Sequence, residues 1–516
     1  MTWFNNAYFL YENLFLFFKF LFLAGIRQLA SQTLWYGVSS IVARLLNYIL
    51  TPYLTLKLSG GSYGDMTLVY ALMSFLNIVY TYGLETGFFR FSQRQEYKNE
   101  LYNTCSVSII TSTVLLTIVL LLLVQPLAFV TNVADHPEYI TLAILIVAFD
   151  SLSAIPFAKL RQDGRPVKYA IVRISGVIVY IALLYFFLSV CPKLAAEDPN
   201  SVFAILNSRN FGITFVILAN VVQSAFTLLL LWKEFKSFRW KFNYQLWREL
   251  IIYSLPMLIV GFGGMINETL DRLMLGWMGV SKLEIGAYGA CYKLSILITV
   301  FIQAFRLGAE PFFFKHSTGE NAQKTYARVM KFFVIVISIM FLFVALYLDI
   351  WKYFIQNPQL WQGLKVVPVL LLANMFLGIY YNLAVWYKVT NNTMSGAWIT
   401  IGGALITILI NYFFIPHYSY MASAWATFFC YGSMMIACFI WGQKKYPVPY
   451  AWKKLLAYII IVVLLYYLHK GLTYMWSNSG FSIGLATVIL MGFVLFVINV
   501  EKKEFQKLPV VGKFIR

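Results

Sequence analysis

Within the stretch GFGGMINETLDRLMLGWM, four strongly polar residues occupy six positions: Asn267, Glu268, Asp271 and Arg272. Glu268 and Arg272 stand four residues apart, so a helix brings them to one face. Carboxylates beside a guanidinium serve one of two purposes. They neutralise it as a structural clasp, or they hold its planar fork ready for a phosphate or carboxylate. Both readings of this stretch stand at the level of sequence. Other polar stripes recur at helical spacing. Ser40, Arg44, Asn47, Tyr48 and Thr51 form one, Ser74, Asn77, Thr81 and Glu85 a second, and Asn374, Gly378, Tyr381 and Asn382 a third. Asp150, Arg173, Lys293, Arg306 and Glu310 are further charges in or near apolar stretches.

Catalytic and metal-binding patterns are absent from the sequence. It has no Walker loop, H-E-x-x-H or Cys-x-x-Cys, and its two G-x-S-x-G strings, at 60–64 and 480–484, do not follow a strand as a nucleophile elbow must. The five cysteines are scattered and the four histidines isolated, which makes neither a disulfide framework nor a metal site. The chain is therefore read as a non-enzyme without a cofactor, and ATP hydrolysis within it is excluded.

The elements that must position these charges are membrane spans. Of 516 residues 60% are hydrophobic and 12% charged, and mean hydropathy is +0.72. A soluble chain would carry about twice that charged fraction. Fourteen apolar stretches are long enough to cross a ~30 Å hydrocarbon core as helices. They lie near 34–56, 66–89, 103–125, 139–158, 169–190, 211–232, 250–278, 285–308, 329–349, 364–387, 395–416, 420–442, 454–470 and 481–499. The fold class expected is an all-α polytopic membrane protein. Three charges in the seventh span would cost roughly 8–10 kcal/mol at the bilayer centre, against roughly 3–5 kcal/mol from its aliphatic residues and phenylalanine. Its polar face must meet water, partner charges or a polar ligand.

The net charge of +19 is distributed in a pattern that sets orientation. Loops after even-numbered spans, with the C-terminal tail, hold 27 Lys and Arg residues, and loops after odd-numbered spans hold seven. Basic loops stay in the cytoplasm, so both termini are expected there and no nucleic-acid partner is implied. Residues 1–24 lack the basic start and cleavage site of a signal peptide and read as an N-terminal extension or interfacial helix. The expected organisation is an N-terminal lobe over 25–245, a C-terminal lobe over 246–443, and two further helices with a basic tail over 444–516. A hint of repetition supports two lobes: Ser40, Arg44, Asn47 and Tyr48 have the spacing of Gly264, Glu268, Asp271 and Arg272. Repeated halves with a site between them are common in transporters.

Several stretches carry a family resemblance: LWYGVSSIVARLLNYILTPYL (34–54), TYGLETGFFRFSQ (81–93), PFAKLRQDGRPVKYA (156–170), INETLDRLML (266–275) and AYGACYKLSILITVFIQAFRLGAEPFFF (287–314). They resemble the Wzx-type polysaccharide-biosynthesis flippases of the multidrug/oligosaccharidyl-lipid/polysaccharide exporter superfamily. The resemblance is strong from about Gly25 to Phe314. It implies about fourteen helices, twelve in two six-helix lobes around a central cavity and two more C-terminal to them. It also implies the substrate, an undecaprenyl-diphosphate-linked oligosaccharide moved between leaflets of the bacterial inner membrane by alternating access. The lipid bilayer is its medium, and a polysaccharide polymerase and assembly proteins are open partners.

A diphosphate carries about two negative charges and needs cations. Arg44, Arg272, Arg173 and Lys293 are the candidates. Asn47, Tyr48, Glu85, Asp150, Asn267, Glu268 and Asp271 are candidate polar or ion-coupling residues of the cavity. Moving two negative charges out of an inside-negative cell releases roughly 4–5 kcal/mol per 100 mV, enough to favour export without ATP. A cation-coupled drug antiporter of the same fold would need an acidic or neutral cavity. An integral-membrane polymerase would need a larger outward loop than the one around 191–210.

Overall fold

The computed structural model describes residues 41–506 apart from 43–44, 47, 93, 98–99, 199, 204–211, 237, 317–320, 391 and 477. The segment 1–24, the first part of the expected span 34–56, Arg44 and Asn47 lie outside the described residues. Thirteen helices long and apolar enough to cross a membrane are present among those described, one for each of the thirteen expected spans from 66–89 onward. In hydrocarbon every backbone N–H and C=O must be satisfied within the segment, which leaves the helix as the form these stretches adopt.

Residues 48–57 are helical. They are followed by α1 (Gly60–Thr81), α2 (Leu84–Phe91), α3 (Leu101–Leu122), α4 (Pro137–Gln162), α5 (Pro166–Tyr185), α6 (Gly212–Leu230) and α7 (Tyr244–Trp277). Then come α8 (Lys282–His316), α9 (Ala322–Ala345), α10 (Val367–Leu383), α11 (Thr393–Tyr418), α12 (Tyr420–Lys445), α13 (Trp452–Met475) and α14 (Ser479–Val500). Local chemistry marks their starts. Ser59 caps α1 by accepting from Ser62 N, and Asn243 caps α7 by accepting from Leu246 N. Proline occupies the first position of α4 and α5, where its missing N–H has no partner to lose. One expected span is broken: Tyr82 and Gly83 take positive φ, ending α1 and starting α2.

Helices α1 and α3–α6 pack together in one bundle and α7–α12 in another, while α13 and α14 pack on α9. The end of the molecule where α1, α4, α8, α10 and α12 begin is called here the upper end, and the opposite one the lower end. The two bundles meet at the upper end along a glycine seam between α1 and α8. A Cβ on Gly64 would run into the Lys282 carbonyl, and one on Gly286 into the Gly60 carbonyl. Only glycine permits backbones to approach this closely.

Helix α7 touches both bundles. Its lower part, with Leu246 and Leu250, buries itself with Leu84, Phe88, Phe91 and Leu101. Glu249 there pairs with Arg94 at 2.9 Å, and Trp247 Nε1 donates to Ser108. At the lower end of α9, Glu501 is 3% exposed and accepts from Lys331 (3.0 Å) and Tyr458 (2.8 Å), and Lys454 Nζ lies 2.6 Å away. This hub fastens α13 and α14 to α9. Burial by itself would raise the Glu501 carboxyl, but the bonds from Lys454, Lys331 and Tyr458 outweigh it and leave it below the ordinary carboxylate range.

Candidate functional site

Helix α7 carries Arg272 five residues before its end at Trp277, about 8 Å below the upper end at 1.5 Å per residue. The guanidinium side chain is 13% exposed. Its Nη1 donates to the Glu268 carbonyl at 2.6 Å and to Asp271 Oδ1 at 3.4 Å. The charge sits 4.4 Å from the centre of the Tyr292 ring and 6.0 Å from that of Tyr288, where ring faces attract cations. A guanidinium has five N–H groups, so one nitrogen so engaged leaves donors for another acceptor.

Asp271 is buried, and both its oxygens are used. Oδ1 accepts from the Arg272 backbone N–H at 2.8 Å, and Oδ2 accepts from the Tyr288 hydroxyl. Glu268 is exposed, and no ion pair joins its carboxylate to Arg272 among the described residues. Of the two carboxylates expected near Arg272, Asp271 is therefore the ionic partner, and Glu268 contributes its backbone carbonyl. Lys293, next to Tyr292 on α8, is half-buried and feels the Arg272 charge. It makes no ion pair among the described residues. Arg272 and Lys293 thus form a cation pair on facing helices, with one buried carboxylate as their fixed counter-charge.

This pair lies under the seam. Gly276, one turn above Arg272, accepts from Asn132 Nδ2 at 3.2 Å. Lys282 pairs with Asp65 at 2.7 Å and donates to the Asn132 carbonyl, and Trp277 Nε1 donates to the Val130 carbonyl at 2.5 Å. The bundles are closed directly above the two cations.

The other candidates fall elsewhere. Asn267 is buried between α7, α11 and α12, donating to the Thr400 carbonyl at 3.2 Å and accepting from Thr407 at 3.5 Å. Asp150 and Arg173 are both exposed, in the first bundle, within electrostatic range of one another. Arg173 lies 5.2 Å from the Phe157 ring and 5.5 Å from the Tyr169 ring. Glu85 pairs with Arg161 at the lower end. Tyr48 is buried at the upper end, stacked on Phe354 at 4.5 Å. No hydrogen bond or ion pair among the described residues joins Asp150 or Arg173 to the α7–α8 cations. Among those residues no group of three or more His, Cys, Asp or Glu is arranged to hold a metal ion.

The polysaccharide biosynthesis protein family matches residues 29–316, more than half of the sequence. The chain belongs to that family. No curated protein matches it. Among solved structures, the lipid II flippase MurJ in an inward closed conformation superposes with a TM-score of 0.64 at 15% identity, over 90% of this chain and 98% of that one. An inward-facing multidrug resistance transporter of the MATE family and MOP superfamily gives 0.58 at 13%, over 83% and 96%. The MATE multidrug transporter DinF-BH gives 0.57 at 14%, over 81% and 96%. This polysaccharide biosynthesis protein is a multi-pass membrane protein with the fold those proteins share.

Sequence reasoning missed the aromatic side of the site. Tyr288 and Tyr292 stand four apart on α8, a spacing that puts both rings on one face, but nothing in one sequence says that this face meets Arg272. It also missed a hydroxyl network of this family member's first bundle. There Asn220 Nδ2 donates to the Tyr70 hydroxyl at 3.0 Å, and the Tyr70 and Tyr180 hydroxyls are 3.4 Å apart. Asn220, ahead of Gln223 and Ser224 in a largely apolar α6, was the available signal.

Proposed function

We propose that this protein moves an undecaprenyl-diphosphate-linked oligosaccharide from the cytoplasmic to the periplasmic leaflet of a bacterial inner membrane. The observation that carries the reading is the Arg272–Lys293 pair beneath a closed seam. On the charge pattern of the loops the upper end is the periplasmic one, so a substrate entering from the cytoplasm would meet this pair last. A diphosphate reaching it meets a guanidinium already held by Asp271 and Tyr292, and little ordering remains to be done on binding. The sugars follow into the polar stripes while the polyprenyl tail stays in lipid.

Release requires the seam to part and the lower contacts of α7 to hold, so that the site is open to one side at a time. The membrane potential favours outward passage of the two charges. A drug–cation antiporter of this fold would call for an acidic or neutral cavity, and it is Arg272, with guanidinium donors left over, and Lys293, without an ion pair among the described residues, that favour an anion here.

The test is complementation of a strain deleted for the gene. Arg272→Gln and Lys293→Gln should each reduce surface glycan at least tenfold at normal protein level, with lipid-linked intermediates accumulating. Arg272→Lys should keep part of the activity, since lysine retains the charge but not the fork. Wild-type display by both glutamine variants would refute the reading.

A further inference from the structure

The connection from α9 to α10 begins and ends in the second bundle and touches the helix 48–57, which Tyr53 ties to the first bundle through Ser189. It runs as a short 3-10 turn at Lys352–Phe354 and a longer one at Pro358–Val366. On its own side it is firmly built in. Leu360 and Ile355 are fully buried. The Leu360 carbonyl faces Cys291 Sγ at 3.4 Å on α8, and the Gln362 carbonyl accepts from the Tyr420 hydroxyl at 2.9 Å on α12. Gly363 lies so close to the Ala287 carbonyl that a Cβ there would clash.

Toward the first bundle the attachment differs in kind. The Gln356 N–H donates to Thr55 Oγ1 at 3.0 Å, Asn357 Nδ2 donates to the Leu58 carbonyl at 3.4 Å, and Phe354 stacks on Tyr48. These are two hydrogen bonds and one ring pair, with the Leu360 side chain lying over Gly60, and no ion pair is among them in the described residues. They reach the helix 48–57 just before Gly60, where the seam begins.

We propose that residues 352–366 form a strap that travels with the second bundle and fastens the first one shut at the upper end. Its contacts to Thr55, Leu58 and Tyr48 break each time the seam parts, and its contacts to Cys291, Ala287 and Tyr420 persist. This rests on the transport reading above, in that only a transporter needs the seam to open. The asymmetry of the two attachments is the reason for the direction. A connection held by backbone continuity and buried side chains on one side parts from the side held by exchangeable contacts.

Two measurements test it. In cells, Thr55→Cys with Gln356→Cys is joined by the reversible reagent 1,2-ethanediyl bismethanethiosulfonate, with each single variant as control. The five native cysteines are buried and remain as background. Crosslinking should lower surface glycan at least tenfold, and a reductant should restore it. Crosslinked cells that keep wild-type display would overturn the strap. A deletion strain whose display never depended on the protein would overturn the transport reading instead.

The second measurement needs no transport. Spin labels on Asp135→Cys and Tyr418→Cys, at the upper ends of the two bundles, report their separation in purified protein in nanodiscs. Thr55→Val with Phe354→Ala should add a population at longer distance. An unchanged distance distribution would overturn the strap whatever the protein carries.

Discussion

The Tyr288 hydroxyl on α8 donates to Asp271 Oδ2 on α7, and the opposite oxygen of that carboxylate faces Arg272. Asp271 is thus the hinge between the two helices and the arginine. Asp271→Asn should leave the Arg272 charge without its partner and destabilise the protein by about 3–5 kcal/mol, as breaking a buried pair does. Tyr288→Phe should cost about 1–3 kcal/mol by leaving a carboxylate oxygen without its donor. Thermal unfolding in detergent reads both. Adding Arg272→Gln to Asp271→Asn should recover stability but not glycan display.

Glu268→Gln separates the two readings of the α7 stretch. With the carboxylate exposed and unpaired to Arg272, the change should shift stability by less than about 0.5 kcal/mol, as surface changes do. A large loss of protein, recovered by the double change Glu268→Gln with Arg272→Gln, would restore the clasp between those two side chains.

Arg44 is argued from its position in the sequence alone, as a mid-span cation on a face without an acid. Arg44→Ala should abolish glycan display at near-normal protein level, and Arg44→Lys should retain part. Disappearance of the protein from the membrane would mark the residue as structural.

Glu501 gives a pH dependence with a definite sign. Its carboxyl is held below the ordinary range, so its contribution is present above the unfolded value of about 4.3. It is lost as pH falls through the lower folded value. Wild-type melting temperature should therefore drop more steeply than that of Glu501→Gln between pH 5 and the onset of acid unfolding. Parallel curves would show that the hub does not hold α13 and α14 in place.

The seam predicts an effect of one methyl group. Gly64→Ala pushes against the Lys282 carbonyl, an overpacking of about 1–3 kcal/mol against the closed form. A cysteine at Thr67, which faces Gly289 across the seam, should then label faster with a membrane-impermeant maleimide added from the periplasm. Equal rates with and without Gly64→Ala would mean that the seam is not the outer barrier.

The thirteen membrane-length helices among the described residues were legible in the sequence because lipid imposes a one-dimensional rule. About twenty apolar residues must satisfy their own backbone, but hydropathy does not mark the more polar first turns, and α1, α7 and α9 start at Gly60, Tyr244 and Ala322, six or seven residues before the expected 66, 250 and 329. The faces were legible too, since Glu268, Asp271 and Arg272 follow from helical spacing. Partners were not. Spacing offered Glu268 as the ionic partner of Arg272, and the structure brings up Asp271. Asn267 looked like a cavity residue and is buried among Thr400, Thr407 and Tyr431. Glu85 finds Arg161, a residue 76 positions away on α4. A helix shows its neighbours a whole face, and which atoms meet depends on rotation and register between helices. Those are set by how all the other side chains pack, which is why Arg272 over Tyr292, the glycine seam and the strap from α9 to α10 belong to the tertiary structure alone.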